Sequence, residues 1–323
     1  MNEKKISSTR CVKEDTISRI DEGEPDDLYF VSAGFEDRAL SATESLDPGY
    51  EAELGLIYVN KEYFNKSEDC RTRRNLKELE ELMEEHCDEV DVIMGSWLEA
   101  DEQLFSLRQG LQILDKKDSL NITIDVTTFN REALLVSFNI LYSICDEINT
   151  RVLYVSPQKH GNWLSKGHQS VRNVIGFAGI QNSSKPTLLA ILSGFEENRA
   201  MNTIDEIEPA KVCVGVGDPP TKESFLHKNK QRQELILNRQ DTDEFHFPAD
   251  SIQGSYEAVS QLISDYSNEY NIIMSPMSTK LSTLGMWKAV QNLEEVQVAY
   301  TIPSEYNLEN YSTGIDSMYI GWI

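Results

Sequence analysis

The sequence has little cysteine and lacks the short motifs that identify many enzymes. Its five cysteines are Cys11, Cys70, Cys87, Cys145 and Cys213. They are odd in number and scattered, with no CxxC pair, which is typical of free thiols in a reducing cytosol and argues against a disulfide frame or a zinc site. There is also no GxGxxG, GxxxxGK[ST], HExxH or GxSxG motif. We therefore expect neither a metal nor a cofactor.

Long hydrophobic runs and positive charge are scarce as well. The longest apolar stretch, around residues 133–144, is too short and too interrupted to span a bilayer, and residues 1–25 carry no apolar signal core. These absences predict a cytoplasmic protein with no membrane partner. The chain has 54 acidic and 30 basic residues, for a formal net charge of −24. Such an acidic surface repels nucleic acid, so direct binding of a duplex is not expected.

The sequence does contain an internal repeat. LYFVSAGFEDR spans residues 28–38 and LLAILSGFEENR spans residues 188–199. Each is an apolar run that ends in Gly-Phe-Glu, with an arginine two or three residues further on. The two glycines are 160 residues apart. A spacing this long indicates a duplicated domain, since solenoid repeats are only about 20–50 residues long.

Three further blocks repeat in the same order. They are LGLIYVN (54–60) with KVCVGVGD (211–218), ITIDVTTFNR (122–131) with IIMSPMSTK (272–280), and RVLYVSP (151–157) with VQVAYTIP (296–303). The offset between the copies falls from 160 to about 145 residues, as insertions and deletions in loops would cause. Four blocks in one order favour internal duplication over chance.

Apolar runs alternate with helical periodicity in both halves. Runs without polar alternation predict parallel strands covered on both faces, each followed by a helix. The sequence therefore predicts an α/β fold of two tandem Rossmann-like, doubly wound parallel sheets from internal duplication, each with strand order 3-2-1-4-5. The predicted parts are an N-terminal arm (1–25), a first domain (26–180) and a second domain (185–323). The first helix is expected at residues 36–46.

The candidate site follows from this topology. Ligands of doubly wound sheets bind at the carboxyl ends of the strands, in the crevice between strands 1 and 4 where the winding reverses. The best-matched repeats follow those two strands, so we expect them to converge on one crevice in each half. The candidate ligand-binding residues are Gly34, Phe35, Glu36, Arg38, Thr127, Thr128 and Arg131 in the first half, and Gly194, Phe195, Glu196, Arg199, Ser275, Ser278, Thr279 and Lys280 in the second.

The residue types at these turns suit an anion. Hydroxyls and free N–H groups at a helix start can hold a phosphate, or the hydroxyls can simply cap the helix. A basic residue there is disfavoured by the helix dipole, so the recurrent basic residues need a partner. That partner could be a bound anion. For Arg38 and Arg199 it could also be Glu36 and Glu196 through ion pairs, unless these glutamates hold a ribose hydroxyl.

Two matched basic clusters precede and open the helix after strand 2 in each half. They are Lys61, Lys66, Arg71, Arg73 and Arg74 in the first half, and Lys222, His227, Lys228, Lys230 and Arg232 in the second. Charged residues on a helix face often have no role beyond exposure to solvent. In a chain this acidic, the two clusters could instead face phosphates from the side of each crevice.

The strand-4 turns DVTTFNREALL (125–135) and SPMSTKLSTLG (275–285) resemble the strand-turn-helix of CARF domains. Two such units in one chain also resemble the SAVED sensors of bacterial anti-phage systems. The resemblance implies recognition of a cyclic oligonucleotide or a similar nucleotide, with a separate effector protein as partner. The residues that it implicates are Thr128, Arg131, Ser278, Thr279 and Lys280.

Three functions are compatible with these patterns. The first is a sensor that binds a nucleotide ligand in phage defence. The second is an enzyme acting on a nucleotide or phosphoester, with acid–base groups drawn from Asp125, His160, His168 and Glu36. The third is a scaffold subunit whose sheets serve only assembly, for instance as a homo-oligomer. Asp125 ends strand 4 opposite Ser275 in the repeat, but no nucleophile or metal cluster accompanies it, which favours the sensor.

Overall fold

The computed structural model describes residues 9–12, 17–21, 23–114 and 117–323. The chain divides into two compact units. Unit 1 contains residues up to His160 together with residues 308–323, and unit 2 contains residues 161–307. Each unit is built on its own predominantly parallel sheet, so the predicted α/β class is confirmed for both.

The elements are named in chain order. The strands up to His160 are β1 (Arg10–Val12), β2 (Asp26–Ala33), β3 (Ala52–Asn60), β4 (Cys87–Gly95), β5 (Ser119–Asp125) and β6 (Glu147–His160). The helices among them are α1 (Lys61–Phe64), α2 (Arg71–Met83), α3 (Ala100–Leu111) and α4 (Arg131–Ile144).

Unit 2 repeats the alternation of strands and helices. Its strands are β7 (Ser165–Lys166), β8 (Ser170–Asn173), β9 (Thr187–Leu192), β10 (Lys211–Gly217), β11 (Thr242–Phe247), β12 (Asn271–Pro276), β13 (Gln297–Ile302) and β14 (Glu305–Tyr306). Its helices are α5 (Glu197–Ile207), α6 (Glu223–Leu237), α7 (Ile252–Tyr266) and α8 (Lys280–Val290). The last strand of the chain, β15 (Ser312–Trp322), belongs to unit 1.

The sheet of unit 1 has the order β1-β15-β6-β5-β2-β3-β4. Its five strands from β6 to β4 are mutually parallel, and counted along the chain they have the order 3-2-1-4-5. The central strand β2 is an apolar run, and Leu28, Tyr29, Phe30 and Val31 have no exposed surface. Burial on both faces is what an apolar run without alternation predicts for a parallel strand.

The sheet of unit 2 has the order β11-β10-β9-β12-β13-β8. The five strands from β11 to β13 are parallel and again have the order 3-2-1-4-5. Strand β8 closes one edge by antiparallel pairing with β13. Both units therefore have the doubly wound order that the sequence predicts, and in both the crossover falls between strands 1 and 4.

The limits of the units differ from the predicted domains. Residues 161–180, predicted to belong to the first domain, lie in unit 2, because β8 pairs with β13. Residues 308–323, predicted for the second domain, lie in unit 1, because β15 pairs with β6 from Trp322–Arg151 to Ser312–His160. Of the predicted N-terminal arm, residues 10–12 pair with β15, whereas residues 1–8, 13–16 and 22 lie outside the described residues.

The first predicted helix is wrong. Residues 36–46 form two short 3₁₀ turns, Asp37–Ala39 and Thr43–Ser45, rather than an α-helix. The Arg38 side chain turns into the core here, which interrupts the helical pattern of the segment. None of the helices in the described ranges has both the length and the apolar character needed to span a bilayer.

Candidate ligand-binding site

The turns after strands 1 and 4 meet in unit 1. A Cβ placed on Gly34 would lie 2.5 Å from the Cβ of Thr128, so only glycine fits without displacing the threonine. The Thr128 hydroxyl in turn donates to the carbonyl oxygen of Ser32, at the end of β2. The structure thus brings Gly34 and Thr128 into direct contact at the carboxyl edge of the sheet, as the doubly wound topology predicts.

The same two turns meet in unit 2. A Cβ on Gly194 would lie 2.1 Å from the backbone oxygen of Met277 and 3.5 Å from the Cα of Ser278. The Met277 N–H donates to the carbonyl of Leu192 over 2.9 Å, which fixes the strand-4 turn against β9. Gly194 is therefore required by a close approach of two backbones.

Arg38 is buried and its charge is neutralised inside unit 1. Its Nε and Nη2 donate to the two carboxylate oxygens of Glu36, each over 3.0 Å. A further nitrogen, Nη1, donates to the carbonyl of Val155 on β6. Burial alone would lower the pKa of the Arg38 guanidinium, but the Glu36 carboxylate raises it above its ordinary value. The Glu36 carboxylate also accepts from the Ser312 hydroxyl on β15.

Unit 2 contains a matching buried pair. Arg199 Nη1 donates to Glu196 over 3.2 Å, while its Nε and Nη2 donate to the Thr301 carbonyl over 2.9 and 2.5 Å. The guanidinium lies over the Tyr300 ring, 4.7 Å from its centroid. The Glu196 carboxylate accepts from the Ser165 hydroxyl. In both units the pair thus ties the turn after strand 1 to the carbonyls of strand 5.

The sequence allows either a bound anion or a glutamate as the partner of Arg38 and of Arg199, and in the structure the partner is the glutamate. Arg38 and Arg199 are each 3% exposed, and Glu36 and Glu196 are 6% and 7% exposed. Each guanidinium is engaged by a carboxylate and a backbone carbonyl of its own unit. An anion that bound either arginine directly would first have to displace its glutamate.

Asp125 holds the turn after strand 4. Its Oδ1 accepts from the backbone N–H of Thr127 over 2.9 Å and from the Thr127 hydroxyl. The same hydroxyl accepts from the N–H of Val155 over 3.0 Å. Burial raises the pKa of Asp125 to about 6, although the bonds from Thr127 and the charge of Arg38 partly oppose this. This geometry is that of a turn-stabilising carboxylate, and the counterpart Ser275 donates to the Ala299 carbonyl over 3.2 Å.

The hydroxyls of the strand-4 turns differ in role between the units. In unit 2, Thr279 caps α8 by accepting from the N–H of Ser282 over 3.1 Å, and its hydroxyl lies 2.6 Å from the Ala249 carbonyl. In unit 1 the cap of α4 is Asn130, whose Oδ1 accepts from the N–H of Ala133 over 2.7 Å. Arg131 and Lys280 are the first residues of their helices and are each 9% exposed.

Sequence reasoning missed a pair of amides that complete the strand-1 turns. Asn75 Nδ2 donates to the carbonyls of Gly34 and Glu36 over 2.8 and 3.1 Å. Gln233 Nε2 donates to the Gly194 carbonyl over 2.8 Å. Both residues lie on the helix after strand 2, and each directly follows an arginine, Arg74 or Arg232. Extending the repeat alignment into these helices would have revealed them.

The basic cluster of unit 1 is largely engaged by other side chains and carbonyls. Lys61 pairs with Glu102, and Arg71 Nη1 lies 3.4 Å from Asp37. Arg73 donates to the Phe64 carbonyl over 2.9 Å. The nearby Phe35 packs edge-on against Tyr63 and Tyr311, with ring centroids 4.8 and 5.7 Å away. Phe35 and Tyr63 are themselves buried, so these rings pack inside unit 1.

The basic cluster of unit 2 is arranged differently. Lys228 lies over the Phe195 ring, with its Nζ 5.1 Å from the centroid. Arg232, one turn further along α6, donates to the carbonyls of Phe195 and Asn162 over 3.3 and 2.9 Å. Within the part of the chain that the structure describes, neither cation forms an ion pair with a carboxylate. Burial, followed by the charge of Arg232, lowers the pKa of Lys228.

An aromatic pair borders these two cations. Phe195 packs edge-on against Phe225, with ring centroids 5.2 Å apart. Phe195 belongs to the turn after strand 1, and Phe225, Lys228 and Arg232 belong to α6. Two half-buried cations without carboxylate partners and two aromatic rings thus lie together at the carboxyl edge of the unit 2 sheet. We call these four residues the α6 cluster.

The two candidate catalytic histidines lie in different units. His160 ends β6 in unit 1, and His168 in unit 2 has its Nε2 2.7 Å from a carboxylate oxygen of Glu206. No contact between Asp125 and His160 is seen among the described residues. No group of three or more His, Cys, Asp or Glu residues in the described ranges is placed to hold a metal ion.

The sequence matches no family model. It also matches no curated protein. Among solved structures, the chain is similar to that of a Type III CRISPR defence DNA nuclease activated by cyclic oligoadenylate. The TM-score is 0.49 at 8% sequence identity, and the match covers 89% of this chain and 67% of the nuclease chain.

Proposed function

We propose that this chain is a binding protein that senses a phosphate-bearing nucleotide at the carboxyl edge of the sheet in unit 2. The observation that carries the proposal is the α6 cluster, in which Lys228 and Arg232 have no carboxylate partner among the described residues. Burial, followed by the charge of Arg232, lowers the pKa of Lys228, so the two cations repel each other. Their mutual repulsion is relieved by an anion bound between them.

The neighbouring groups favour a nucleotide over a simple anion. Phe195 and Phe225 supply aromatic surface beside the cations, and nucleobases stack on such rings. The cluster also adjoins the strand-1 turn of a doubly wound sheet, where ligands of this architecture bind. The strand-4 turn reaches the same place through Gly194 and Ser278. We therefore include Ser278, Thr279 and Lys280 among the proposed ligand contacts.

A sensor accounts for the site better than an enzyme does. The carboxylate best placed for acid–base work, Asp125, is committed to the Thr127 turn through its Oδ1. The corresponding position in unit 2 is Ser275, which cannot act as a base at neutral pH. By the resemblance of its strand-4 turns to those of CARF domains, the proposed ligand is a cyclic oligonucleotide, and the proposed setting is anti-phage defence with a separate effector protein.

The proposal is tested by calorimetric titration of the purified chain with linear and cyclic mono- and oligonucleotides, and with inorganic phosphate as a reference. We expect a nucleotide to bind more tightly than phosphate alone and to be recovered intact by mass spectrometry. Binding followed by conversion of the nucleotide would make the protein an enzyme. Absence of binding across the whole panel would leave the scaffold function.

A further inference from the structure

A groove runs along the free edge of the unit 1 sheet. It lies between β4 and the C-terminal half of α3 and has a volume of about 740 Å³. Its lining includes Asp91, Val92, Met94, Gln109 and Ile113. In the sheet order, β3 separates β4 from β2, and the candidate site turns of this unit follow β2 and β5.

Large apolar side chains, of a kind that is usually buried, border the groove and are exposed to solvent. Met94 is 40% exposed, Ile113 is 55% exposed and Phe105 is 69% exposed. Phe105 and Gln109 are one helical turn apart, so Phe105 extends the same face of α3 beyond the groove. Exposed apolar side chains that are grouped in this way mark interaction surfaces more often than scattered ones do.

The floor of the groove is held firmly. A Cβ on Gly110 would lie 2.9 Å from the Cγ2 of Ile93, which shows how closely α3 approaches β4. The Ser106 hydroxyl donates to the Met94 carbonyl over 2.6 Å. Helix and strand are therefore held together along the groove, and a partner would meet a preformed surface.

The backbone of β4 is open on one side. It pairs with β3 from Ala52–Cys87 to Asn60–Gly95 and ends the sheet order. An edge strand of this length presents unpaired N–H and C=O groups that can accept a further strand. The strand is nine residues long, which is enough for several backbone hydrogen bonds with a partner.

The edge is acidic, and its carboxylates have no basic partner within the described ranges. Asp88, Glu89 and Asp91 are exposed, and none of the three forms an ion pair or a side-chain hydrogen bond within the described ranges. Antiparallel pairing of β4 with a copy of itself would bring these carboxylates together. Like charges facing each other across strands are destabilising, so a second copy is a poor occupant.

The corresponding edge of unit 2 shows a different solution. On β11, Asp243 pairs with Lys211 over 2.7 Å, and Glu244 lies 3.0 Å from His246 and 3.9 Å from Lys230. These carboxylates are matched by basic groups of the same unit. Unpaired acidity is thus a property of β4 rather than of edge strands in this protein generally.

We propose that β4 and its groove bind an extended segment of another protein in which basic and apolar residues alternate. The segment adds a strand to the unit 1 sheet beside β4. Its basic side chains lie on the face of β4 that carries Glu89 and Asp91, and its apolar side chains lie on the opposite face, beside Val92 and Met94. Backbone pairing supplies affinity, and the alternation of charge and apolar contact supplies specificity.

The test uses a nine-residue peptide that alternates lysine and isoleucine, with binding to the whole chain measured by fluorescence anisotropy. We expect binding to the wild type and protection of the β4 amides from hydrogen exchange. The variant Glu89→Lys with Asp91→Lys should weaken binding by about tenfold or more. A charge-matched control, Glu68→Lys with Glu78→Lys, changes two exposed acids of unit 1 and should bind like the wild type.

Two further measurements separate strand addition from simple attraction of charges. The same peptide methylated on alternate backbone nitrogens keeps its charge but loses its donors, and should bind more weakly. The proposal would be overturned if the methylated peptide bound as tightly as the unmethylated one. It would also be overturned if both double variants weakened binding equally, or if the β4 amides were not protected from hydrogen exchange. The wild type could also form a dimer that is changed by Glu89→Lys with Asp91→Lys but not by the control variant. That result would show that a second copy occupies the edge, and would overturn the proposal too.

Discussion

In the interior of unit 1, the two carboxylate oxygens of Glu36 accept hydrogen bonds from Nε and Nη2 of Arg38, each over 3.0 Å. Arg38 then donates to the Val155 carbonyl, so the turn after strand 1 is tied to strand 5. Glu196 and Arg199 repeat the arrangement in unit 2 with the Thr301 carbonyl. This shared feature of the two units stabilises the turns that frame each crevice.

Breaking either pair should destabilise the protein strongly. Glu36→Gln and Glu196→Gln each leave a buried guanidinium without its counter-ion, which typically costs about 3–5 kcal/mol of the free energy of unfolding. Urea denaturation of each variant measures this cost. The control is Glu44→Gln, which alters an exposed acid of the neighbouring 3₁₀ turn and should change little. Stability equal to the control would mean that the pairs are dispensable.

Asp125 should make stability depend on pH in the acidic range. Its pKa is raised from 3.8 to about 6 in the folded protein, so the folded state holds this proton more tightly than the unfolded state does. The resulting stabilisation is complete below about pH 4 and is lost as the pH rises through about 6. Asn at this position keeps the acceptor for Thr127 but carries no charge.

Denaturation of the wild type and Asp125→Asn across pH 4–8 measures this contribution. Relative to the wild type, the variant should gain on the order of 2 kcal/mol between pH 4 and pH 7. Taking the difference between the two proteins cancels the titration of all other groups. Stability curves that stay parallel over this range would show that Asp125 does not titrate there.

Gly194 should tolerate no side chain. The Cβ of Gly194→Ala would lie 2.1 Å from the Met277 backbone oxygen, which is fixed by the bond from the Met277 N–H to Leu192. We expect a loss of about 1–3 kcal/mol or more, as for other overpacked sites. Gly49→Ala is the control, because its nearest neighbour is the Asp47 carboxylate at 3.2 Å. Equal urea midpoints for the two variants would contradict this reading.

The sheets were predictable from the sequence because apolar runs report directly on burial. The runs around Leu28 and Leu188 became the central strands β2 and β9, and the order 3-2-1-4-5 followed from alternation with helices. The return of β15 to the unit 1 sheet was not predictable in the same way. Most of its N-terminal half is exposed, and its pairing with β6 joins residues far apart in the chain.

The candidate site was only partly predictable, for a related reason. Sequence placed Gly34 and Thr128 at one crevice because topology fixes where strands end. It could not show that Arg38 reaches the Val155 carbonyl, 117 residues away, or that Arg199 reaches Thr301. Long-range contacts of side chains leave no periodic signal in the sequence. The sequence alone was therefore compatible with either a glutamate or a bound anion as the partner of each arginine.

Lys228 and Arg232 are the two cations on which the proposed nucleotide site of unit 2 depends most directly. The deciding measurement is the dissociation constant of the tightest-binding nucleotide of the panel for the wild type, Arg232→Gln and Arg74→Gln. Arg74 is the exposed residue at the matching position of unit 1, directly before Asn75. A lost charge-assisted hydrogen bond predicts about tenfold to hundredfold weaker binding for Arg232→Gln, with Arg74→Gln unchanged. Equal affinity in all three proteins, with folding intact, would contradict a nucleotide site in unit 2.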